Sequence, residues 1–170
     1  MRVIAGSAKG RRLSAPASKR VRPALDQVKE AIFNILFDVT GARVLDLFAG
    51  SGVWGLEALS RGAGSVDFVE LAPACLSAIR SNVAALQVED KTRVYRGDAL
   101  RFVERLAEGE YDIALADPPF STDQAIRLLS EFRRLAFAKI LTIEHRSTLQ
   151  CVGSETRRYG DVALTFCYAS

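Results

Sequence analysis

The chain has 170 residues, 49% of them hydrophobic and 25% charged. That balance fits one compact domain able to bury roughly 70% of its unfolded surface, and it excludes a disordered or collagen-like chain. Three cysteines exclude a disulfide scaffold, and no apolar run approaches the ~18 residues of a membrane span. The N-terminus lacks the apolar core of a secretory signal, so a cytoplasmic protein with reduced thiols and no membrane partner is expected. The net charge of +3 conceals an asymmetry. Arg2, Lys9, Arg11, Arg12, Lys19, Arg20 and Arg22 fall in the first 22 residues without one acid, while the remainder is net acidic. A basic arm on an acidic body points to a polyanion, with nucleic acid as first candidate, although a solvated tail has the same composition.

In chain order, Arg2–Gly6 and Arg11–Ala15 flank a Ser7–Gly10 turn and predict a small β-hairpin. Pro16 and Pro23 bracket an extended linker. Val28, Ile32, Ile35 and Leu36 recur at helical spacing over Asp26–Phe37, with Asp26 as a cap. From residue 43 strands and helices alternate. Strands are predicted at Arg43–Phe48, Ser65–Glu70, Thr92–Arg96, Tyr111–Asp117 and Lys139–Glu144. Helices are predicted at Val53–Arg61, Pro73–Leu86, Asp98–Ala107 and Thr122–Leu135. Thr156–Tyr159 and Val162–Tyr168, split by Gly160-Asp161, predict a closing hairpin. Alternating β and α units predict an α/β domain, a mostly parallel sheet with helices on both faces and an antiparallel edge hairpin. The division is one unit at 41–170 with an N-terminal extension, hairpin and helix, at 1–40.

Between the first strand and its helix, Gly50, Gly52 and Gly55 satisfy G-x-G-x-x-G, and Glu70 ends the next strand twenty residues after Gly50. Glycines let the backbone turn tightly beside a ligand, and a carboxylate at that distance suits ribose hydroxyls. Asp46 lies four residues before Gly50. An anion there disfavours a pyrophosphate and favours the sulfonium and ammonium of S-adenosylmethionine. The plainer alternative is an Asp that merely caps the loop.

Asp117-Pro118-Pro119-Phe120 follows a buried strand. Two prolines remove N–H donors, so the Asp117 carboxylate and the Pro118 carbonyl can both accept from one exocyclic amine, while Phe120 offers a stacking face. Two acceptors would align a weakly nucleophilic nitrogen with a methyl donor and stabilise its developing charge. The alternative is a rigid proline turn.

In these stretches and others, the chain resembles the RsmD-type bacterial 16S rRNA (guanine-N2)-methyltransferases over essentially its whole length. The carrying residues are Arg2–Gly6, Lys9–Leu13, Val21-Arg22-Pro23, Asp26–Leu36, Leu45–Gly52, Gly55–Ala63, Asp117–Phe120 and Tyr159–Leu164. The resemblance implies a Rossmann-like fold, S-adenosyl-L-methionine as donor, and 16S rRNA or a small ribosomal subunit particle as partner of a monomer. It implies cofactor contacts from Asp46, Phe48, Gly50, Gly52, Glu70, Asp98 and Ala99, and transfer at Asp117, Pro118, Pro119 and Phe120. The basic arm is expected to supply RNA contacts through Arg2, Lys9, Arg11, Arg12, Arg20 and Arg22. The chain departs from the family pattern at Ala24-Leu25, Val53-Trp54 and Leu71-Ala72-Pro73.

His145 is the only histidine and reads as structural, and Cys75, Cys151 and Cys167 form no C-x-x-C, so no metal is expected. Trp54 reads as helix packing. Arg157, Arg158 and Tyr159 suit either an RNA face or a charged edge strand. The rivals are a DNA or RNA adenine-N6 methyltransferase, an NAD oxidoreductase, and a non-catalytic nucleotide-binding module. The last two leave the DPPF segment and the basic arm unused.

Overall fold

A computed structural model describes residues 1–16 and 25–170. The Pro16–Pro23 linker, with Lys19, Arg20 and Arg22, therefore lies almost wholly outside the described residues. Seven strands form one sheet in the order β3-β2-β1-β4-β5-β7-β6. They are β1 (Arg43–Leu47), β2 (Ser65–Glu70), β3 (Thr92–Arg96), β4 (Tyr111–Ala116), β5 (Ala138–Arg146), β6 (Glu155–Tyr159) and β7 (Val162–Tyr168). The first five run parallel, and β7 pairs antiparallel with both β5 and β6. The architecture is Rossmann-like, with the antiparallel hairpin at one edge.

Side-chain alternation along the buried strands separates two apolar cores. Val44, Val66, Phe68, Ile113, Leu115, Leu164 and Phe166 face α1 (Leu25–Leu36), α2 (Val53–Ser60) and α3 (Pro73–Leu86). Leu45, Leu47, Ala114, Ala116, Leu141 and Ile143 face α4 (Ala99–Val103) and α5 (Gln124–Leu135). Every residue of α2 is buried. Gly55 explains how α2 comes so close: a Cβ there would meet Phe68 Cε1 at 2.5 Å and Val66 Cγ1 at 2.7 Å.

Several boundaries differ from the sequence reading. The N-terminal hairpin reduces to one antiparallel bridge, Arg2 with Arg12, flanked by Val3 N–H to Arg11 O and Leu13 N–H to Met1 O. Beyond that bridge the first arm bonds to Glu57 and the turn to Ser60 on α2, while the second arm bonds to Asn82 and Ala85 on α3. Asp26 lies within the first turn of α1, where its charge still suits the helix dipole. α4 stops at Val103 and not at Ala107, and α5 begins at Gln124 and not at Thr122, where the Thr122 side chain bonds back to Pro119 O. β5 continues through His145 to Arg146, because β7 supplies ladder partners as far as Val162.

The arm is held by a buried carboxylate. Glu57 accepts from Ile4 N–H at 2.9 Å, Ala5 N–H at 3.0 Å and Arg61 Nε at 2.9 Å. Lys29 Nζ lies 3.5 Å from the same group and donates to Arg2 O at 2.8 Å. Both Lys29 and Glu57 are fully buried, and burial pulls the Lys29 ammonium below its usual pKa against the opposing pull of Glu57. Gly6 sits against the end of α2, where a Cβ would lie 1.8 Å from Ser60 O. Val3 and Leu13 consequently join the core beneath α2.

Glu57→Ala leaves a buried ammonium and two N–H groups without their acceptor. It is expected to destabilise the protein by about 3–5 kcal/mol, read as a lower denaturant midpoint.

His145 is buried and bonds Thr165 Oγ1 at 2.7 Å and Arg146 O at 2.9 Å. Burial lowers its pKa below 6.5. The unfolded chain then binds the proton first, so this contribution to stability is complete above pH 6.5 and falls away as pH drops through the lowered value. His145→Gln should lose that part of the acid sensitivity, seen by comparing thermal unfolding of both proteins between about pH 5 and 7.

Candidate active site at the carboxyl ends of β1 and β4

The chain winds outward from β1 through β2 to β3, then crosses back to place β4 against the other side of β1. The crevice above the carboxyl ends of β1 and β4 is therefore the topological switch point, where open α/β sheets bind ligands. The glycine loop leaves β1 there, and the DPPF segment leaves β4. Leu47 pairs with Ala116, and the next residue, Asp117, donates its N–H to Leu47 O at 3.4 Å. Two motifs 67 residues apart in sequence, counted from Gly50 to Asp117, thus start from adjacent strand ends.

The loop is tightly coiled. Phe48, Gly50 and Gly52 adopt φ of 55°, 59° and 80°. Left-handed backbone suits the two glycines and is strained at Phe48. Glu70 holds this conformation from β2. Its Oε2 accepts from Gly50 N–H at 2.7 Å, and its Oε1 accepts from Leu71 and Ala72 N–H, each at 3.0 Å. Ala49 N–H adds a bond to Val69 O.

Asp46, 2% exposed, turns one oxygen to the helix. Its Oδ2 accepts from Gly55 N–H at 2.9 Å, in the first turn of α2. The loop-capping role considered for Asp46 is therefore real. It also has a chemical consequence. A dinucleotide pyrophosphate uses free N–H groups and the positive end of this helix. Here one of those N–H groups is engaged and a carboxylate stands beside it. The arrangement suits a cationic ligand.

Asp98 caps α4, accepting from Arg101 N–H at 3.0 Å, with Ala99 buried behind it. Gly97 N–H bonds Glu70 O, which brings the end of β3 beside the end of β2. Phe48 packs against the core on the α4–α5 side. Asp117 is half-buried, Pro118 buried, Pro119 exposed and Phe120 half-buried against the other core. The Pro119 carbonyl accepts from Thr122, which fixes the exit from the turn.

The basic residues lie on the arm that packs over α2 and α3. Arg2, Lys9, Arg11 and Arg12 are all exposed. The Ser7–Gly10 turn sits at the Ser60 end, with Ser7 N–H on Ser60 O and Ala8 N–H on Ser60 Oγ. Ser14 sits nearer the glycine loop, bound to Asn82, whose amide also reaches Ser51 O at 2.9 Å. Eight helical residues separate the two ends by about 12 Å, so Lys9 and Arg11 stand away from the crevice. Arg11 also donates to Ala85 O. Asn82 was not singled out by sequence reasoning, since one Asn within α3 carries no pattern. Glu57 had a signal, as the only charge in an otherwise apolar helix.

Among the described residues no histidine, cysteine or acidic cluster could hold a metal ion, and no helix is long and apolar enough to cross a membrane. All three cysteines are buried. Trp54 is core.

A family model described as Conserved hypothetical protein 95 matches residues 1–167. YlbH of Bacillus subtilis, provisionally named an rRNA methyltransferase, is 40% identical over 97% of this chain and 91% of its own. Ribosomal RNA small subunit methyltransferase D of Escherichia coli is 36% identical over 85% and 74%. The solved structure of yhhF from Escherichia coli, which carries a provisional methyltransferase name, superposes with a TM-score of 0.84 at 28% identity, covering 98% of this chain and 96% of that one. The chain belongs to the Conserved hypothetical protein 95 family, the RsmD-type methyltransferases.

Proposed function

We propose that the protein transfers a methyl group from S-adenosylmethionine to the exocyclic N2 amine of a guanine in 16S rRNA of the small ribosomal subunit. The observation that carries this reading is the meeting of the glycine loop and the DPPF segment at adjacent strand ends, in a chain 36% identical to a small-subunit rRNA methyltransferase.

The residues present fit the donor. Gly50 and Gly52 leave room for it at the loop, and the Asp46 carboxylate favours the positive methionine portion. Glu70 has its two oxygens committed to three N–H groups, yet each carboxylate oxygen offers two lone-pair directions. Oε1 is filled by Leu71 and Ala72 N–H, so Oε2 keeps one direction for a ribose hydroxyl while it holds the loop. Asp98 and Ala99 border the adenine. When bound, S-adenosylmethionine supplies an electrophilic methyl on a cationic sulfur.

The chain's work at the acceptor is positioning and electrostatics. The Asp117 carboxylate and the Pro118 carbonyl each accept a hydrogen bond from one N–H of the guanine amine, and Phe120 stacks on the base. The nitrogen then points its lone pair at the methyl carbon. As the N–C bond forms the S–C bond breaks, leaving a neutral thioether, and the nitrogen releases one proton towards Asp117. Positive charge building on nitrogen is met by a carboxylate already in place. Residues 1–40 serve as the RNA-facing extension and residues 41–170 as the transfer unit, with Arg2, Lys9, Arg11 and Arg12 on phosphates and Arg20 and Arg22 continuing the basic stretch.

Asp117→Ala should still bind S-adenosylmethionine in calorimetry but lose on the order of 10²-fold or more in methyl transfer, by analogy with loss of one preorganised transition-state partner. Labelled donor and nucleoside analysis of the RNA read the result, with N2-methylguanosine as the expected product. An active Asp117→Ala protein, or label appearing as N6-methyladenine, contradicts the reading.

Replacing Arg2, Lys9, Arg11 and Arg12 together by Gln spares the buried Val3 and Leu13. RNA affinity should fall, and the slope of log affinity against log salt should become shallower by up to about 3.6, at ~0.7–0.9 per phosphate contact. An unchanged slope would make the arm a purely structural strap.

A further inference from the structure

The charged edge strand β6 takes no part in the transfer step described above, yet it reaches the same rim of the sheet. β7 pairs with β5 on one side and β6 on the other. Arg146 lies opposite Val162 and Val162 opposite Tyr159, while Leu164 lies opposite Arg157. Directly paired residues share a face. Val162 and Leu164 belong to the core covered by α1, α2 and α3, so Arg146, Arg157 and Tyr159 stand on that side, where Phe120 also packs. β5 runs parallel to β4 with Ile143 opposite Ala116. Arg146 is three residues further on, ~10 Å at ~3.3 Å per residue. It overhangs the strand end from which the DPPF segment leaves. Tyr159 is two strand spacings from it, about 10 Å.

Tyr159 and Arg157 form one wall of a groove of about 270 Å³, and α1 forms the other with Gln27, Glu30, Asn34 and Ile35. Ile35 and Tyr159 are half-buried against the core and give the groove an apolar floor. Gln27, Glu30 and Asn34 are exposed above it, and their amides and carboxylate can donate to and accept from a flat polar edge. The charges sort the groove. Arg157 is met by Glu155 at 2.7 Å, and Glu30 disfavours an anion inside. Arg146, at the crevice end, is exposed and among the described residues makes no ion pair, not even with Asp161 next to its partner Val162. A ligand that fits has a flat hydrogen-bonding ring for the groove and an anionic group towards the crevice. A nucleotide has both, and one joined to the target base arrives tethered, at high effective concentration.

Resting on the guanine-N2 reading above, we propose that this groove holds an unpaired nucleotide flanking the target in the RNA, with its base on the Tyr159 ring and its phosphate on Arg146. Single-stranded RNA is held in this way by stacking on aromatic rings and by cations along its backbone. Anchoring the neighbour keeps the strand splayed while the target base stands at the DPPF segment.

Small-subunit rRNA rebuilt by ligation, with an abasic residue on one or the other side of the nucleotide the wild type methylates, gives the substrates, used as free RNA and in the reassembled particle. For one of the two abasic RNAs the wild type should show KM raised by about tenfold or more with kcat little changed. Tyr159→Ala should raise KM on intact RNA by a similar factor and respond to neither abasic RNA, because the stacking pair is already broken. Tyr159→Phe keeps the ring and should keep the response. Arg146→Gln should raise KM for RNA and flatten the salt dependence by ~0.7, one phosphate contact on a single strand. A merely structural Tyr159 predicts that its loss and the abasic residue act independently, their factors multiplying, and that outcome overturns the proposal. A wild type indifferent to both abasic RNAs overturns it without any variant having to fold. Thermal unfolding and S-adenosylmethionine binding report whether the variants are folded. Should Tyr159→Ala not fold, an unchanged salt slope in Arg146→Gln overturns the proposal. A groove that serves a protein partner instead leaves every RNA parameter unchanged. Label on guanosine N2 without an abasic effect overturns the subsite alone. A wild type that leaves guanosine N2 unmethylated in the unmodified rRNA removes the guanine reading, and this subsite with it.

Discussion

The buried carboxylate of Glu57 is the constraint around which the N-terminal half is arranged. One side chain accepts from the backbone of the N-terminal arm, from Arg61 on its own helix, and faces the ammonium of Lys29 on α1. Lys29 in turn donates to Arg2 O. Three segments that are distant in sequence share one neutralised polar centre. An isolated charge at that depth would cost several kcal/mol, so each partner depends on the others being present. The arm has too few residues to build a core of its own, and this centre fixes its path along α2. The two apolar anchors, Val3 and Leu13, are then aligned with the cavity they fill.

The same economy of carboxylates governs the crevice. Asp46, Glu70 and Asp98 each bind backbone N–H groups of the element that follows or adjoins them. Each is therefore a scaffold residue as well as a proposed ligand contact. The strained turn at Phe48 is held from two sides, by Glu70 on Gly50 and by Val69 O on Ala49. A loop fixed before the ligand arrives loses little entropy on binding. Removing any of these carboxylates would alter loop geometry and ligand contact together.

The DPPF segment achieves rigidity differently. Its prolines restrict the backbone, Thr122 closes the exit, and the Asp117 N–H is tied to Leu47 O. With the proposed acceptor groups on the strand next to the glycine loop, the sheet ladder itself would set the relative position of donor and acceptor. Sheet hydrogen bonds are among the least deformable links in a fold, which suits a direct transfer between two bound partners.

The sequence by itself determined the alternating α/β plan, the limits of β2, α3, β3 and β7, the glycine loop and the DPPF segment. Local chemistry suffices there: buried apolar runs, Pro73 in a first helical turn, and glycines where positive φ is required. Only tertiary structure decided the rest. The hairpin pairs around a single bridge, and its outward-facing N–H groups go to Glu57 and Ser60 on α2 and to Asn82 on α3. β5 outran its predicted end because β7 paired with it. Asn82 bridges Ser14 and Ser51 from a helix position without any local pattern. Pairings across the sheet and across helices are set by packing of residues far apart in sequence, and no periodicity within a segment encodes them.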